Sequence, residues 1–196
     1  MDRLRSPGGC PWDAAQTHQS LTPYLLEEAY EVIEAIETGD LALLREELGD
    51  LLLQVLFHSR ITQELPPDQA FGIDDVANDL VDKLVRRHPH VFAGVEAGTA
   101  DELNETWERQ KVDEKGRTSA VDGVPLNQPA LALAAKLVAR ARRAGLDVET
   151  AAADDIGGRL MAIVAEAVEA GVDPEAALRR TARAYRDAMI EREAGQ

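Results

Sequence analysis

The sequence predicts an all-α protein folded as a helical bundle. Helix-start signals recur along the whole chain, and no stretch keeps the strict alternation of apolar and polar residues that marks a β-strand. Of the 196 residues, 45% are hydrophobic, which is enough for a sizeable core. Helices joined by short loops are typical of such bundles.

The first two long helices are predicted from their capping residues. Thr22 and Pro23 have the character of an N-cap and a first helical residue, which predicts a helix over Tyr24–Glu37. Asp40 predicts the cap of a second helix that runs to about Gln63, just before two prolines. The two helices should therefore form an antiparallel pair across a very short turn.

Two further helices are predicted before the chain changes in composition. Asp74 can cap a third helix over residues 75–87, which must end before Pro89. Thr99 and Glu102 form a T-x-x-E capping box for a fourth helix that reaches about Lys115. We expect residues 1–115 to form one helical domain.

A second, smaller helical region is predicted after a linker. Residues 116–129 are rich in Gly, Pro, Ser and Asn, and helices follow near 130–144, 155–170 and 174–193. Residues 155–160 resemble residues 47–52, with Gly158 at the place of Asp50. No room remains there for a preceding acidic helix, so residues 130–196 are predicted to be a degenerate, truncated repeat that binds no metal of its own.

Charge and cysteine content narrow the range of partners. The 21 basic and 36 acidic residues give a net charge of −15, which argues against nucleic acid as the main partner. The single cysteine, Cys10, excludes an intrachain disulfide. The first residues lack the apolar core of a signal peptide, and the longest apolar run is too short to span a bilayer. We expect a cytoplasmic protein without a membrane partner.

Two acidic residues of the first predicted helix border its apolar face. At 100° per residue, the apolar side chains fall on one side, and Glu28 and Glu31 lie three residues apart on its flank. Glu27 and Glu34 point further toward solvent. Glu28 and Glu31 are therefore the better candidates for a functional role.

The second predicted helix contains two more acidic residues in an unusual setting. From Leu41 to Ile61 it is apolar almost all round, so we expect it to be buried, yet Glu47 and Asp50 lie inside it. Buried carboxylates need compensating positive charge, and no lysine or arginine lies in the middle of either helix. A divalent cation meets this need, and ligands that are all oxygen favour Mg²⁺ or Mn²⁺ over zinc.

Di-iron carboxylate bundles are the main alternative for such a cluster. They use Glu-x-x-His steps on two helices. Here the corresponding pairs, Glu28 with Glu31 and Glu47 with Asp50, contain only acidic residues, and His58 belongs to neither pair. Iron is therefore disfavoured.

The arrangement of Glu27, Glu28 and Glu31, followed by Glu47 and Asp50, resembles the E-E-x-x-E…E-x-x-D signature of MazG proteins. These belong to the all-α nucleoside triphosphate pyrophosphohydrolases. Cys-Pro-Trp-Asp at 10–13 and Arg-Arg-His-Pro-His-Val-Phe at 86–92 also resemble MazG segments. The resemblance covers residues 8–115 strongly and residues 130–193 weakly.

The resemblance implies hydrolysis of a nucleoside triphosphate to the monophosphate and pyrophosphate. It implies Mg²⁺, with Mn²⁺ as a substitute, held by Glu28, Glu31, Glu47 and Asp50 as the metal-binding and catalytic residues. It leaves open which carboxylate is the general base. It also implies a bundle completed by pairing, so that the expected partners are small nucleoside triphosphates and a second copy of the chain.

Candidate substrate contacts come from the residues and from the resemblance together. Trp12 could stack on a base or anchor the N-terminal loop. Lys83 and Arg87, four residues apart, suit triphosphate oxygens and resemble MazG phosphate-binding positions. Trp107 and Lys111 resemble a MazG Trp-x-x-x-Lys element that contacts substrate.

Two rival functions stay open at the level of sequence. One is a degenerate nucleotide-binding or regulatory protein that keeps the fold without turnover. The other is a relative of narrower specificity, such as a dUTP or phosphoribosyl-ATP pyrophosphohydrolase. The intact set of four carboxylates disfavours the first, and the stretches around Trp12 and His88 disfavour the second.

Overall fold

A computed structural model describes residues 1–100, 102, 103, 106, 107, 110, 114, 116, 118–148 and 155–195. Within these residues all regular secondary structure is helical, which confirms the all-α fold. The helices are α1 Asp2–Arg5, α2 Pro11–Ala15, α3 His18–Thr38, α4 Leu41–Thr62, α5 Ile73–Arg87, α6 Pro89–Phe92, α7 Ala130–Arg143, α8 Ile156–Glu169 and α9 Pro174–Ala194.

The chain divides into two compact units, Met1–Leu103 and Asn104–Gln196. Each is described by itself below. The limits proposed from the sequence, at 115 and 130, remain a prediction. None of the helices in the described part of the chain is long and apolar enough to cross a membrane.

The first unit is built on a hairpin of α3 and α4, the most extensively packed pair of helices in the described residues. Gly39 ends α3 in the left-handed conformation, with φ of 74°, as a helix-stop glycine should. The Asp40 carboxylate then accepts hydrogen bonds from the amides of Ala42 and Leu43, both at 3.0 Å, and so caps α4. The predicted turn between the two helices is confirmed.

The predicted start of α3 is wrong. The helix begins at His18, because Thr17 and Ser20 form a reciprocal capping box in which each side chain bonds to the other's amide, at 3.1 and 2.9 Å. Pro23 lies inside the helix, where the Thr22 hydroxyl donates to the carbonyl of His18. The capping box therefore outweighs the proline as the start signal.

The predicted cap of α5 is also displaced. Asp74 lies within the first turn, and the helix begins one residue earlier, after Gly72. The Asp75 carboxylate accepts a hydrogen bond from the Gly72 amide at 2.7 Å, which closes the first turn. The predicted T-x-x-E box is confirmed, since Glu102 and Thr99 bond to each other's amides at 2.7 and 3.3 Å.

The apolar core of the hairpin lies toward its open end. Leu21 of α3 packs with Phe57 and Ile61 of α4, and Met1 packs against this cluster. Phe57 and Ile61 continue a stripe of α4 that also contains Asp50 and Gln54, because these residues follow at spacings of three and four. The inner seam of the hairpin thus changes from apolar to acidic along its length.

The outer side of α4 is exposed in the single chain. Leu41, Leu48 and Leu52 are 77%, 50% and 54% exposed, so the expectation that α4 is buried on every side is wrong for the chain alone. One helix can cover only one side of α4, and the sequence is apolar on both. These leucines form part of the hairpin's outer face, which we define by Leu41, Leu48, Leu52 and Val55.

In the second unit α7, α8 and α9 pack against one another around Val164, which is 1% exposed. All three helices were predicted, and Asp173 caps α9 as expected. Asp155 is the N-cap of α8, where its carboxylate accepts from the Gly158 amide at 2.6 Å. The residue aligned with Glu47 thus begins a helix here, whereas Glu47 lies in the middle of one.

Candidate active site

Three of the four acidic residues predicted as ligands, Glu28, Glu47 and Asp50, bring their carboxylates together on the inner seam of the α3–α4 hairpin. One carboxylate oxygen from each of Glu28, Glu47 and Asp50 lies within 4.8 Å of the other two. The Glu31 carboxyl group is within hydrogen-bonding reach of those of Glu28 and Glu47. Each helix contributes two acidic residues that are three positions apart and therefore lie on one face of that helix. The pairing of two antiparallel helices then brings these faces together.

The carboxyl groups of the cluster disfavour one another's ionisation. Burial raises the pKa of Glu28 above its ordinary value, and the negative charges of Asp50 and Glu31 raise it further. Burial also raises the pKa of Glu47, followed by the charge of Glu31. Glu47 is 8% exposed, the deepest of the four, so its charge is the one that most needs a partner.

The donor set fits a divalent cation. Among the described residues, no lysine or arginine forms an ion pair with Glu28, Glu47 or Asp50. Carboxylate oxygens that are this close, partly buried and without a cationic neighbour are the ligands that Mg²⁺ and Mn²⁺ prefer. No histidine belongs to the cluster, which leaves the di-iron pattern without support.

Comparison with known proteins decides the family. Residues 16–92 match the MazG nucleotide pyrophosphohydrolase domain. A Thermotoga maritima protein named nucleoside triphosphate pyrophosphohydrolase/pyrophosphatase MazG is 39% identical over 209 residues, which cover 94% of this chain and 79% of that protein. The chain belongs to the MazG family. The resemblance inferred from the carboxylate spacing, and the enzyme class that it implied, are confirmed.

Two further relatives show how much of a MazG protein the chain spans. An uncharacterized 26.1 kDa protein of Streptomyces cacaoi is 54% identical over 191 residues, covering 96% of this chain and 78% of that protein. The nucleoside triphosphate pyrophosphohydrolase of Mycolicibacterium smegmatis is 46% identical over 197 residues, covering 99% of this chain but 57% of that protein. The chain therefore spans little more than half of this mycobacterial relative.

The structure places Trp12 of this MazG chain on the hairpin, against Tyr24 and Phe57. The Trp12 ring lies edge-on to Tyr24 and Phe57, with centroids 6.0 and 6.4 Å away, and is 51% exposed. Tyr24 precedes Glu28 by one helical turn on the same stripe of α3. Trp12 thus helps to anchor the N-terminal segment and remains half exposed, and its partner Tyr24 lies one turn from the acidic cluster.

The other predicted substrate contacts are less fully described. Lys83 is exposed and Arg87 half-buried on α5, a helix that packs against α4. Trp107 is half-buried and belongs to the second unit. Lys111 lies outside the described residues. The roles of these four side chains in binding substrate remain predictions.

Three features of the first unit escaped the sequence analysis. The Gln54 side chain is 5% exposed, and its oxygen has no hydrogen-bond partner. His18 and His58 stack with their rings 5.0 Å apart and share a 2.7 Å contact between their Nδ1 atoms. Burial, and then His18, lower the pKa of His58. Gln54 could have been found from its place one turn after Asp50, whereas the histidine pair is separated by 40 residues.

A third feature is a buried arginine at the N-terminus. The Arg5 side chain is 3% exposed and binds both carboxylate oxygens of Glu64, at 3.0 and 2.8 Å. It also donates to the backbone carbonyls of Asp13 and Gln16. Because Arg5 and Glu64 are 59 residues apart, no local pattern in the sequence indicates their pairing.

Proposed function

We propose that this protein hydrolyses nucleoside triphosphates to nucleoside monophosphates and pyrophosphate, with Mg²⁺ or Mn²⁺ bound by Glu28, Glu31, Glu47 and Asp50. The convergence of three carboxylates within 4.8 Å of one another carries the proposal. Membership of the MazG family, and relatives named nucleoside triphosphate pyrophosphohydrolase, support the reaction.

The four carboxylates would supply both the metal site and the base. Mg²⁺ bound there would draw negative charge from the phosphate oxygens. A water molecule would attack the α-phosphorus while one carboxylate takes its proton. The bond from that phosphorus to the α–β bridging oxygen would break, and pyrophosphate would leave. Placing all four side chains on two helices fixes their geometry before substrate arrives, which favours catalysis.

The remaining predicted contacts divide between the two ends of the substrate. Lys83 and Arg87 would contact triphosphate oxygens, where a guanidinium can bind two of them at once. Trp12 would contact the base, since its ring is 51% exposed and packs on Tyr24, one helical turn from Glu28. Trp107 and Lys111 are proposed as further substrate contacts on the strength of the family pattern.

A panel of nucleotides with resolved products tests the proposal. Canonical and damaged nucleoside and deoxynucleoside triphosphates are incubated with Mg²⁺, and pyrophosphate and phosphate are measured separately. We expect pyrophosphate and the monophosphate, loss of turnover in excess chelator, and recovery with Mg²⁺ or Mn²⁺. Full turnover in chelator would exclude the metal site, and phosphate with the diphosphate would exclude the reaction. Binding without turnover would favour a degenerate regulatory protein.

We also propose a homodimer that buries the hairpin's outer face. Leu41, Leu48, Leu52 and Val55 lie in one line along α4, at spacings of three, four and seven residues, and all are exposed in the single chain. A continuous row of large apolar side chains on a helix marks a surface that another helix covers. A second copy of the same hairpin would offer the matching apolar row, as a two-fold interface requires.

A further inference from the structure

One buried arginine joins several parts of the N-terminal segment to the hairpin. The Arg5 guanidinium bonds to both oxygens of Glu64 at the end of α4 and donates to the carbonyls of Asp13 and Gln16, which end α2. Its Cζ atom lies 5.9 Å from the centre of the Phe57 ring. One side chain therefore holds α1, α2 and α4 together.

Arg60 makes a matched but lesser contact with the same elements. It bonds to Glu64 at 3.1 Å and to Asp2 at 2.9 Å. Neither of these contacts reaches α2, and the Asp2 side chain is 82% exposed, so the pair is largely solvated. Arg5 and Arg60 thus share a partner, but only Arg5 bonds to the carbonyls of Asp13 and Gln16, on either side of the last turn of α2.

The ring of Trp12 depends on this attachment for its place. Trp12 lies on α2 between Cys10 and the Arg5-bound carbonyl of Asp13, and its own carbonyl accepts from the Gln16 side chain at 2.9 Å. The ring then meets Tyr24 and Phe57 edge-on. Because α2 has only 5 residues, its own hydrogen bonds cannot hold the indole at a fixed position.

The aromatic pair of Trp12 and Tyr24 lies one helical turn from the acidic cluster. Tyr24 precedes Glu28 by four residues, a rise of about 6 Å along α3. Side chains on a helix lean toward its N-terminus, so the Glu28 carboxylate leans toward the Tyr24 ring. If a triphosphate held at the carboxylates directs its nucleoside end toward the start of α3, the base reaches these two rings, which are 51% and 40% exposed.

We infer that Arg5 is a positioning residue for nucleotide recognition: by bonding to the end of α2 and to Glu64, it holds Trp12 against Tyr24 as an aromatic wall for the nucleobase. This inference rests on the proposed function for the location of the triphosphate. Arg5 itself touches no substrate. Its effect reaches the nucleobase through Trp12 and leaves the phosphate-binding end of the site unchanged.

Two ligands with a chain of three phosphorus atoms, only one of which carries a nucleoside, test the inference. Equilibrium binding of α,β-methylene-ATP, whose α–β bridge resists hydrolysis, is compared with binding of inorganic tripolyphosphate, both with Mg²⁺ by calorimetry. In Arg5→Met we expect the affinity for α,β-methylene-ATP to fall about tenfold, the size of one base–aromatic stack. Tripolyphosphate affinity should change less than about twofold, since it has no base to stack. Arg60→Met should leave both affinities unchanged.

A double-mutant cycle separates positioning from general loss of structure. Trp12→Ala should weaken α,β-methylene-ATP as Arg5→Met does, and the double variant should be no weaker than Trp12→Ala alone, because Arg5 acts through Trp12. In turnover, Arg5→Met should raise KM for nucleoside triphosphates while kcat stays nearly constant. Additive losses in the cycle, or equal weakening of tripolyphosphate, would overturn the inference.

The remaining outcomes are also decisive. If circular dichroism shows that Arg5→Met does not fold, the same titrations are carried out on Arg5→Lys. Lysine keeps the charge but cannot bind Glu64 and two carbonyls at once. An unchanged affinity of Arg5→Lys for α,β-methylene-ATP would overturn the inference. An unsubstituted protein that binds α,β-methylene-ATP no tighter than tripolyphosphate overturns it as well. If the protein binds nucleotide but releases no pyrophosphate, the proposed function is wrong, but the binding measurements still test the role of Arg5.

Discussion

Glu47 carries its carboxyl group on a residue that is only 8% exposed, beside other acidic side chains. Such a group is stable only when it is protonated or neutralised by a cation. The proposed Mg²⁺ would neutralise the group at neutral pH. The same environment that makes the cluster unfavourable without metal would then favour metal binding.

Substitutions that remove one charge from the cluster should lower turnover by orders of magnitude. We expect Glu47→Gln or Asp50→Asn to lower kcat by more than roughly a hundredfold, since even the loss of a residue that supports a metal ligand can cost that much. Glu34→Gln is the control, because Glu34 is an exposed glutamate on α3 outside the cluster. Pyrophosphate release with Mg²⁺ measures the rates. Similar rates for Asp50→Asn and Glu34→Gln would contradict the ligand assignment.

Acidification should stabilise the cluster when metal is absent. The pKa values of Glu28 and Glu47 are raised in the folded protein, so between 4.5 and the folded values the folded state binds more protons than the unfolded chain. The free energy of unfolding contributed by these groups is therefore highest at low pH and falls as pH rises through the folded pKa values. His58, with a lowered pKa, acts in the opposite sense below 6.5.

Comparison with Glu47→Gln isolates the carboxyl contribution, because His58 is present in both proteins. In chelator, denaturant unfolding should show Glu47→Gln gaining stability over the unsubstituted protein at about pH 7 and less at about pH 5. In saturating Mg²⁺ the unsubstituted protein should be the more stable, since only it keeps all its ligands. A stability difference independent of both pH and Mg²⁺ would refute this account of the cluster.

Local patterns predicted the clustering of the proposed ligands but not the long-range contacts of the hairpin. Glu28 with Glu31, and Glu47 with Asp50, are short steps on two helices joined by Gly39 and Asp40, so sequence and helix geometry suffice to bring them together. The contacts of Arg5 with Glu64, and of His18 with His58, join residues 59 and 40 positions apart. Only the tertiary fold brings such pairs into contact.

At the scale of elements, capping chemistry decided where helices begin. The structure confirms Asp40 and Asp173 as caps because each carboxylate accepts from two free amides of the following turn. The prediction that Thr22 caps α3 failed because Thr17 forms a strong cap five residues earlier, and the helix then tolerates Pro23 in its interior. Both threonines can act as an N-cap, and the sequence pattern alone does not show which cap has the lower free energy.

The turn between α1 and α2 has no room for a side chain at Gly9. A Cβ atom there would collide with the carbonyl oxygens of Arg3 and Leu4, and the Leu4 carbonyl must stay in place to accept from the Cys10 amide at 2.8 Å. We expect Gly9→Ala to displace α2 and raise KM for nucleoside triphosphates, much as Arg5→Met does. Steady-state kinetics and thermal unfolding provide the measurement.

Gly8→Ala is the matched control for this turn. Gly8 has φ of 84° but open space around its Cβ position, so alanine strains the backbone without displacing a neighbour. It should cost about 1 kcal/mol of stability and leave KM unchanged. If Gly9→Ala and Gly8→Ala have the same KM, the close approach of the two helices does not matter for substrate binding.

At the scale of the whole molecule, the apolar pattern of α4 motivates the proposed dimer. A helix that is apolar all round was expected to be buried, and the structure leaves Leu41, Leu48, Leu52 and Val55 exposed. The expectation of burial on every side is therefore wrong for the single chain. A second copy that covers this face, as we propose, would account for the apolar pattern.

A charge placed in the hairpin's outer face should therefore break the assembly. If two copies meet there, Leu52→Glu puts a carboxylate into an apolar contact, and we expect light scattering to show a change from dimer to monomer, with loss of thermal stability that depends on protein concentration. Leu126→Glu is the control, because Leu126 is 76% exposed and lies outside the hairpin. Two results would contradict a dimer at this face. They are an unsubstituted protein that is monomeric at high concentration, and a Leu52→Glu variant whose mass in solution is unchanged.

The same variant also tests whether one hairpin holds a complete catalytic site. Because the clustered carboxylates all belong to one hairpin, we expect a monomeric Leu52→Glu variant to keep releasing pyrophosphate.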